Sequence, residues 1–179
     1  MSSDNSESII AVGEKLYLRR PVRGDLDFYY DWYRDPEIQK YMANPHWDPN
    51  CSKDRYREIF LRKHLLTTGE SQSFTICEKK EGVPVGVIVS YEIDRGSGVC
   101  EIGVLIGSSN HHRSGFATEA IKLTLRHLKD TIGITIVRCN IHPENTASIR
   151  LFEKCGFVRT GKKHEHGFEL FTFKRELEG

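Results

Sequence analysis

The spacing of hydrophobic positions changes several times along the chain, and each change marks an element. Lys15 to Arg20 alternates apolar and polar residues, which predicts a first strand ended by Pro21. Leu26, Tyr29, Tyr30 and Tyr33 then recur at helical spacing behind Asp25, predicting an amphipathic helix broken at Asp35-Pro36. Pro36 can open a second, short helix through Tyr41. Asn44 to Ser52 reads as a loop. Lys53 to Thr68 returns to a helical period, with Tyr56, Ile59, Phe60, Lys63 and Leu66 at suitable spacings and Gly69 near its end.

Strands follow: Phe74 to Lys79, a turn at Glu81-Gly82, Val83 to Tyr91, a second turn from Asp94 to Gly98, and Glu101 to Ile106. From Gly115 to Asp130 the pattern is helical, with Ala117, Ile121 and Leu128 on one stripe and Ala120 and Leu123 beside it. Ile134 to Ile141 is a strand broken by His142-Pro143-Glu144. Asn145 can cap a helix reaching Lys154, and Gly156 is a natural stop. Phe157 to Lys162 and Phe168 to Lys174 make a last pair of strands. Helices between the later strands imply crossovers and some parallel pairing. The expected fold is α/β: a single mixed, mostly antiparallel sheet of about seven strands, with helices on both faces. Residues 14–179 form one domain in this reading, and residues 1–13 a disordered tail.

Composition narrows the function without naming it. The chain has 179 residues, enough for one domain with a real core. With 26 basic and 25 acidic residues, the net charge of +1 gives no support for a nucleic-acid partner. No apolar run approaches the roughly 20 residues that span a bilayer, and the N-terminus lacks the pattern of a signal peptide. The five cysteines are odd in number and spread apart, so neither a disulfide framework nor a zinc site follows. They read as small core residues in a reducing cytoplasm. His111 and His112 are adjacent and point in different directions on an extended chain, so no metal is expected.

Candidate chemistry concentrates between Glu101 and Ala120. An apolar strand there meets a polar turn, Gly107 to Asn110, and then the opening of a helix. The first N–H groups of a helix have no intrahelical partner, and the macrodipole makes that end positive. A strand, a turn and a helix with glycine at its entry are therefore a candidate phosphate cradle.

Two segments carry a family resemblance. His112-Arg113-Ser114-Gly115-Phe116-Ala117 resembles the (Gln/Arg)-x-x-Gly-x-(Gly/Ala) pyrophosphate loop of the GNAT superfamily of acetyl-CoA-dependent N-acetyltransferases. Asn145-Thr146-Ala147-Ser148, followed by Leu151 to Phe157, resembles that family's Asn-x-x-(Ser/Ala)-x-x-Leu-(Tyr/Phe)-x-x-x-Gly-Phe segment. The stretch Leu16 to Met42 is similar to the branch containing ribosomal-protein N-terminal (alanine/serine) acetyltransferases. The resemblance implies an acyl-CoA N-acyltransferase-like fold, acetyl-CoA as co-substrate and no metal.

It also implies roles. Backbone amides from Arg113 to Ala117, with Ser114, Gly115 and Phe116 between them, would hold the pyrophosphate, and His112 stands where Gln or Arg is usual. Val104, Leu105 and Ile106 would pair with the pantetheine arm, the Leu105 amide polarising the thioester carbonyl. Asn145 would contact the pantetheine, and Ser148 would lie near the thiol. Phe152 stands where many members carry a tyrosine acting as general acid, which leaves Ser148 or a water for that role. Glu101 is the candidate general base. Trp32, Tyr41 and Trp47, with His46 and Asp48, are candidates for the acceptor side. The acceptor is expected to be a protein N-terminal α-amine. Alternatives are a small amine (amino sugar, antibiotic or polyamine) or a catalytically silent CoA-binding module. A cytoplasmic monomer or homodimer, with no membrane or nucleic-acid partner, completes the expectation.

Overall fold

The computed structural model of the chain describes residues 8–42, 48, 50–65, 68–107 and 114–178. Eight strands form one sheet: β1 (Ile9–Val12), β2 (Leu16–Arg19), β3 (Gln72–Glu78), β4 (Pro84–Asp94), β5 (Val99–Ile106), β6 (Ile136–Ile141), β7 (Val158–Glu165) and β8 (Phe168–Glu176). Their spatial order is β1-β2-β3-β4-β5-β6-β8-β7. All neighbouring pairs are antiparallel except β5 and β6, which are joined in parallel through the crossover helix α4 (Phe116–His127). The other helices are α1 (Leu26–Arg34), α2 (Pro36–Gln39), α3 (Lys53–Phe60) and α5 (Thr146–Lys154).

The first strand corrects the sequence reading. Ile9–Val12 falls inside the stretch assigned to a disordered tail, yet it pairs with β2 and extends the sheet to eight strands. Four residues are too few to show a period, and their order comes from a partner that local pattern does not reveal. Gly13, also placed in the tail, packs against α4: a Cβ there would stand 1.9 Å from the Glu119 Oε1 atom. Two helices end differently from the prediction. α3 is regular only to Phe60 and continues as a π-helical turn, Leu61–Leu65. α4 passes into a similar turn, Leu128–Ile132, closed by Gly133 at φ +84°.

Helices cover both faces because the strands alternate apolar side chains to each side. On one face, Ala120, Ile121 and Leu125 of α4 and Phe152 of α5 pack over Ile88, Ile102, Val137 and Phe173. On the other, Tyr29, Trp32 and Tyr33 of α1 and Tyr56 and Phe60 of α3 pack around Val87. Burying each such side chain contributes roughly 1.5–3 kcal/mol. All five cysteines are free and buried. A buried polar network ties α1 to the sheet. Asp25 accepts two bonds from the Arg19 guanidinium, both at 2.7 Å, and one from the Thr75 hydroxyl at 2.8 Å. Tyr29 closes the network through its hydroxyl, 2.9 Å from that of Thr75.

The joint between β5 and β6 is the feature that positions the site. Only Val99, Cys100 and Glu101 pair with Ile136, Val137 and Arg138. Beyond Glu101 the strands part: β5 stays paired with β4 through Ile106, and β6 stays paired with β8 through Ile141. The sheet therefore opens into a wedge with its apex at Glu101. α4 begins after the end of β5 and α5 after the end of β6, so both helix N-termini stand at the open end.

Candidate active site

Backbone alternation decides which groups face the wedge. Gly107 donates its N–H to the Val85 carbonyl at 2.9 Å, and the Gly98 carbonyl accepts from the Ile136 N–H at 3.0 Å. Along β5, odd-numbered residues thus turn their backbone groups to β4, and even-numbered residues turn theirs towards β6. Ile102 and Val104 turn their N–H and C=O groups towards the opening. The Leu105 amide is directed at Val87, its partner on β4, which corrects the expectation that it polarises a thioester carbonyl. Val104 is the residue of that segment placed for such a bond.

At the open end, Gly115 caps α4 with φ +88°, a conformation that favours glycine. The first backbone bond of the helix runs from the Glu119 N–H to the Gly115 carbonyl at 3.0 Å, so the amides of the preceding turn, Phe116 and Ala117 included, point out of the helix end. The Phe116 side chain is buried in the core beneath. The Ser114 carbonyl accepts from the Lys15 ammonium at 3.0 Å, which ties the cradle to the start of β2. His112, Arg113, Trp47 and His46 lie outside the described residues.

On α5, Asn145 uses its side-chain oxygen to cap the helix, accepting the Ser148 N–H at 3.1 Å. That is the predicted cap, and it leaves the amide nitrogen of Asn145 as the group available to a ligand. Ser148 lies half-buried in the first turn of the same helix. Phe152 departs from its expected place beside the cofactor. It is 3 % exposed and packs edge-on against Phe157 at 5.1 Å between ring centroids, inside the core. Having no hydroxyl, it prefers this apolar setting to a wet site.

The face of the sheet under α1 and α3 carries the chemistry at the apex. Tyr91, Glu101 and Asn140 project there from β4, β5 and β6, since Tyr91 pairs with Glu101 and the intervening residues point into the opposite core. Asn140 donates its amide N–H to Glu101 Oε2 at 2.5 Å. Lys163 of β7 stands 4.0 Å from Glu101 Oε1 and 2.7 Å from Glu165. The Glu101 side chain is 12 % exposed. Burial is the main cause that raises its pKa above the ordinary carboxylate value; Lys163 and a hydrogen bond from Tyr91 oppose the rise, and the charges of Glu92 and Glu165 add to it. Burial likewise raises the Tyr91 phenol, with Glu101 adding to the effect. Beside Tyr91, β4 bulges and Glu92 adopts φ +50°. Such irregularities re-aim side chains near active sites.

The candidates for the acceptor side separate. Trp32 is 7 % exposed and packs with Phe28 and Tyr29, so it is a core residue. Tyr41 reaches His142, immediately after β6, at 5.7 Å between ring centroids, and so borders the open end of the wedge. Asp48 accepts the Asn50 N–H at 2.8 Å and shapes its own turn. Tyr91, Asn140 and Lys163 were missed because their nearness to Glu101 comes from strand register across four strands. The acetyl-CoA co-substrate suits this arrangement: the edges of β5 and β6, parted beyond Glu101 and Arg138, match an extended amide-bearing arm, and the α4 opening matches a pyrophosphate. Among the described residues no group of His, Cys, Asp and Glu is placed to hold a metal, and no helix is long and apolar enough to cross a membrane.

The chain is similar to known proteins over most of its length. The family model described as an acetyltransferase (GNAT) domain matches residues 15–158. An uncharacterized N-acetyltransferase, p20, of Bacillus licheniformis is 30% identical over 149 residues, covering 83% of this chain and 82% of its own. The spermidine N(1)-acetyltransferase of Vibrio cholerae is 26% identical over 157 residues, covering 88% of this chain and 87% of its own. Among solved structures, spermidine N-acetyltransferase from Vibrio cholerae in complex with CoA and spermine superposes with a TM-score of 0.78 at 22% identity, over 92% of this chain and 96% of the other.

Proposed function

Since the chain belongs to the GNAT acetyltransferase family, we propose that it transfers the acetyl group of acetyl-CoA to a primary amine of a small, cationic molecule. One observation carries the choice of acceptor. The carboxylates of Glu92, Glu101 and Glu165 all act on the wedge apex, and the Lys163 ammonium balances only part of their charge. A cation is drawn to such a surface. The Vibrio cholerae relative is named for spermidine, which fits the same chemistry.

In this reading the chain's residues divide the work. The α4 opening at Gly115 to Ala117 binds the pyrophosphate, and Val104 pairs with the pantetheine arm and donates to the thioester oxygen. Bound acetyl-CoA supplies the activated acyl group. Tyr41 borders the path by which the amine enters. Glu101, through Oε1, takes the proton that the amine must lose, directly or through one water. Ser148 or a water returns a proton to the departing thiolate. At pH 7, deprotonating a lysine-like amine of pKa about 10.4 costs about 4.6 kcal/mol. Further ammonium groups on the same acceptor lower the pKa of the reacting amine and reduce that cost.

The test is release of CoA thiol with a polyamine, an amino sugar and a peptide bearing a free α-amine. The expected result is the highest kcat/KM on the polycationic small molecule, lowered by Glu92→Gln and Glu165→Gln. A highest kcat/KM on the peptide would transfer the reading to protein N-termini. Tight acetyl-CoA binding without turnover on any amine would leave a CoA-binding module.

A further inference from the structure

Glu101 is the last residue of β5 to pair with β6, and Asn140 lies two positions past its partner Arg138, where the backbone ladder has already ended. The hydrogen bond from Asn140 Nδ2 to Glu101 Oε2 therefore spans the two strands at the point where they part. Asn140 is itself held in register by β8, opposite Thr172. Its neighbours Cys139 and Ile141 are buried in the opposite core, which fixes the direction in which its side chain leaves the strand.

We propose that Asn140 is a positioning residue for the acetyl transfer: it holds Oε2 of Glu101 at the wedge apex so that Oε1 alone is presented to the incoming amine. This rests on the reading of Glu101 as proton acceptor. A carboxylate with one oxygen engaged by a fixed donor has lost its freedom to rotate, and the remaining oxygen is the one that accepts. The side chain of Asn140 neither titrates nor carries charge, so it orients Glu101 without competing for the proton. The charged and titratable groups around Glu101 are Tyr91 and Glu92 from β4, Cys100 from β5 itself, Cys139 from β6, and Lys163 and Glu165 from β7. Lys163 stands on the other side, 4.0 Å from Oε1, while Asn140 bonds Oε2 from across the parting strands.

Two variants, Asn140→Ala and Asn140→Asp, test this against Glu101→Gln and the double variant Glu101→Gln/Asn140→Ala. Turnover is followed as CoA thiol release across pH, and acetyl-CoA affinity by calorimetry. Glu101→Gln is expected to lower kcat about a hundredfold. Asn140→Ala is expected to lower it about tenfold, the weight of one hydrogen bond to a charged group, with acetyl-CoA affinity unchanged. Because that bond favours the ionised carboxylate, its loss moves the acid limb of the pH–rate profile to higher pH. Asn140→Asp keeps the volume, places a like charge beside Glu101, and moves the limb further in the same direction. Adding Asn140→Ala to Glu101→Gln should cost nothing more. A wild-type limb and kcat in Asn140→Ala, beside a slow Glu101→Gln, would overturn the positioning role and spare the base. The same tenfold loss in both backgrounds would also overturn it, as a structural effect. A wild-type rate in Glu101→Gln would remove the base itself, and the inference with it.

Discussion

The indole of Trp32 lies directly against Gly107: a Cβ built on that glycine would stand 2.1 Å from ring atoms Cγ and Cδ1. Helix α1 thus rests on the residue that follows β5, the strand whose edge opens into the wedge. Gly107→Ala should force the ring or the strand aside and destabilise the fold by about 1–3 kcal/mol. It should also weaken acetyl-CoA binding, since Val104 and Ile106 move with it. Urea unfolding and calorimetric titration check both effects. Trp32→Phe, a smaller ring, should recover part of the loss when combined with Gly107→Ala.

Gly115 poses a different constraint. A Cβ there would meet only the Lys15 ammonium, at 3.6 Å, so space is available and the positive φ is the obstacle. Gly115→Ala should cost about 1–2 kcal/mol of stability, and Gly115→Val more, because a branched Cβ tolerates this backbone least. If the first turn of α4 holds the pyrophosphate, acetyl-CoA affinity should fall in both variants. Affinity equal to wild type in a folded Gly115→Val protein would remove the cradle.

The Arg19–Asp25 pair is almost wholly buried, with side chains 4% and 2% exposed. Removing one partner leaves the other charge without compensation. Asp25→Ala should therefore cost about 3–5 kcal/mol, measured as a lowered urea midpoint. Thr75→Val, which removes one donor to the Asp25 carboxylate and leaves the ion pair, should cost about 1.5–3 kcal/mol.

His64 makes stability depend on pH. It lies among Tyr29, Tyr33 and Phe60, with its Nδ1 atom 3.0 Å from the Ser73 hydroxyl. Burial first, and the Lys63 charge second, lower its pKa from 6.5 to about 3. Between those values the unfolded chain binds the proton and the folded chain does not, so acid favours unfolding. Stability is complete above pH 6.5 and falls as the pH drops towards 3, by at most about 1.4 kcal/mol per unit. His64→Gln should flatten this part of the curve in denaturation series run across pH.

Much of this was legible in local pattern, because the determining signals were local. Asn145 as a cap and Gly156 as a stop follow from the chemistry of helix ends, and α5 begins and ends beside them. Gly115 stood out by its place before a helical stripe. Elsewhere the decisive relation joined residues far apart in the chain. Nothing near Ile9 announces a partner at Arg19, so β1 read as tail. The role of the Leu105 amide comes from the family resemblance, whereas the side on which that amide bonds depends on its partner Val87 in a neighbouring strand. The Glu101–Asn140 bond spans 39 residues and needed the register of two strands at once. Trp32, a candidate for the acceptor side for which core packing was explanation enough, is held inside by Tyr29 and Gly107.

The short parallel joint has a consequence for the life of the protein. Five strands lie on one side of it and three on the other, and Val99 to Glu101 supply the sheet pairing across it among the described residues. A molecule bonded to both parted edges would act as mortar between two slabs. Occupancy and folding are then a single equilibrium: acetyl-CoA at a hundred times its dissociation constant would add about 2.7 kcal/mol to the stability of the whole chain. The two slabs would then come apart less readily in the presence of the co-substrate than without it.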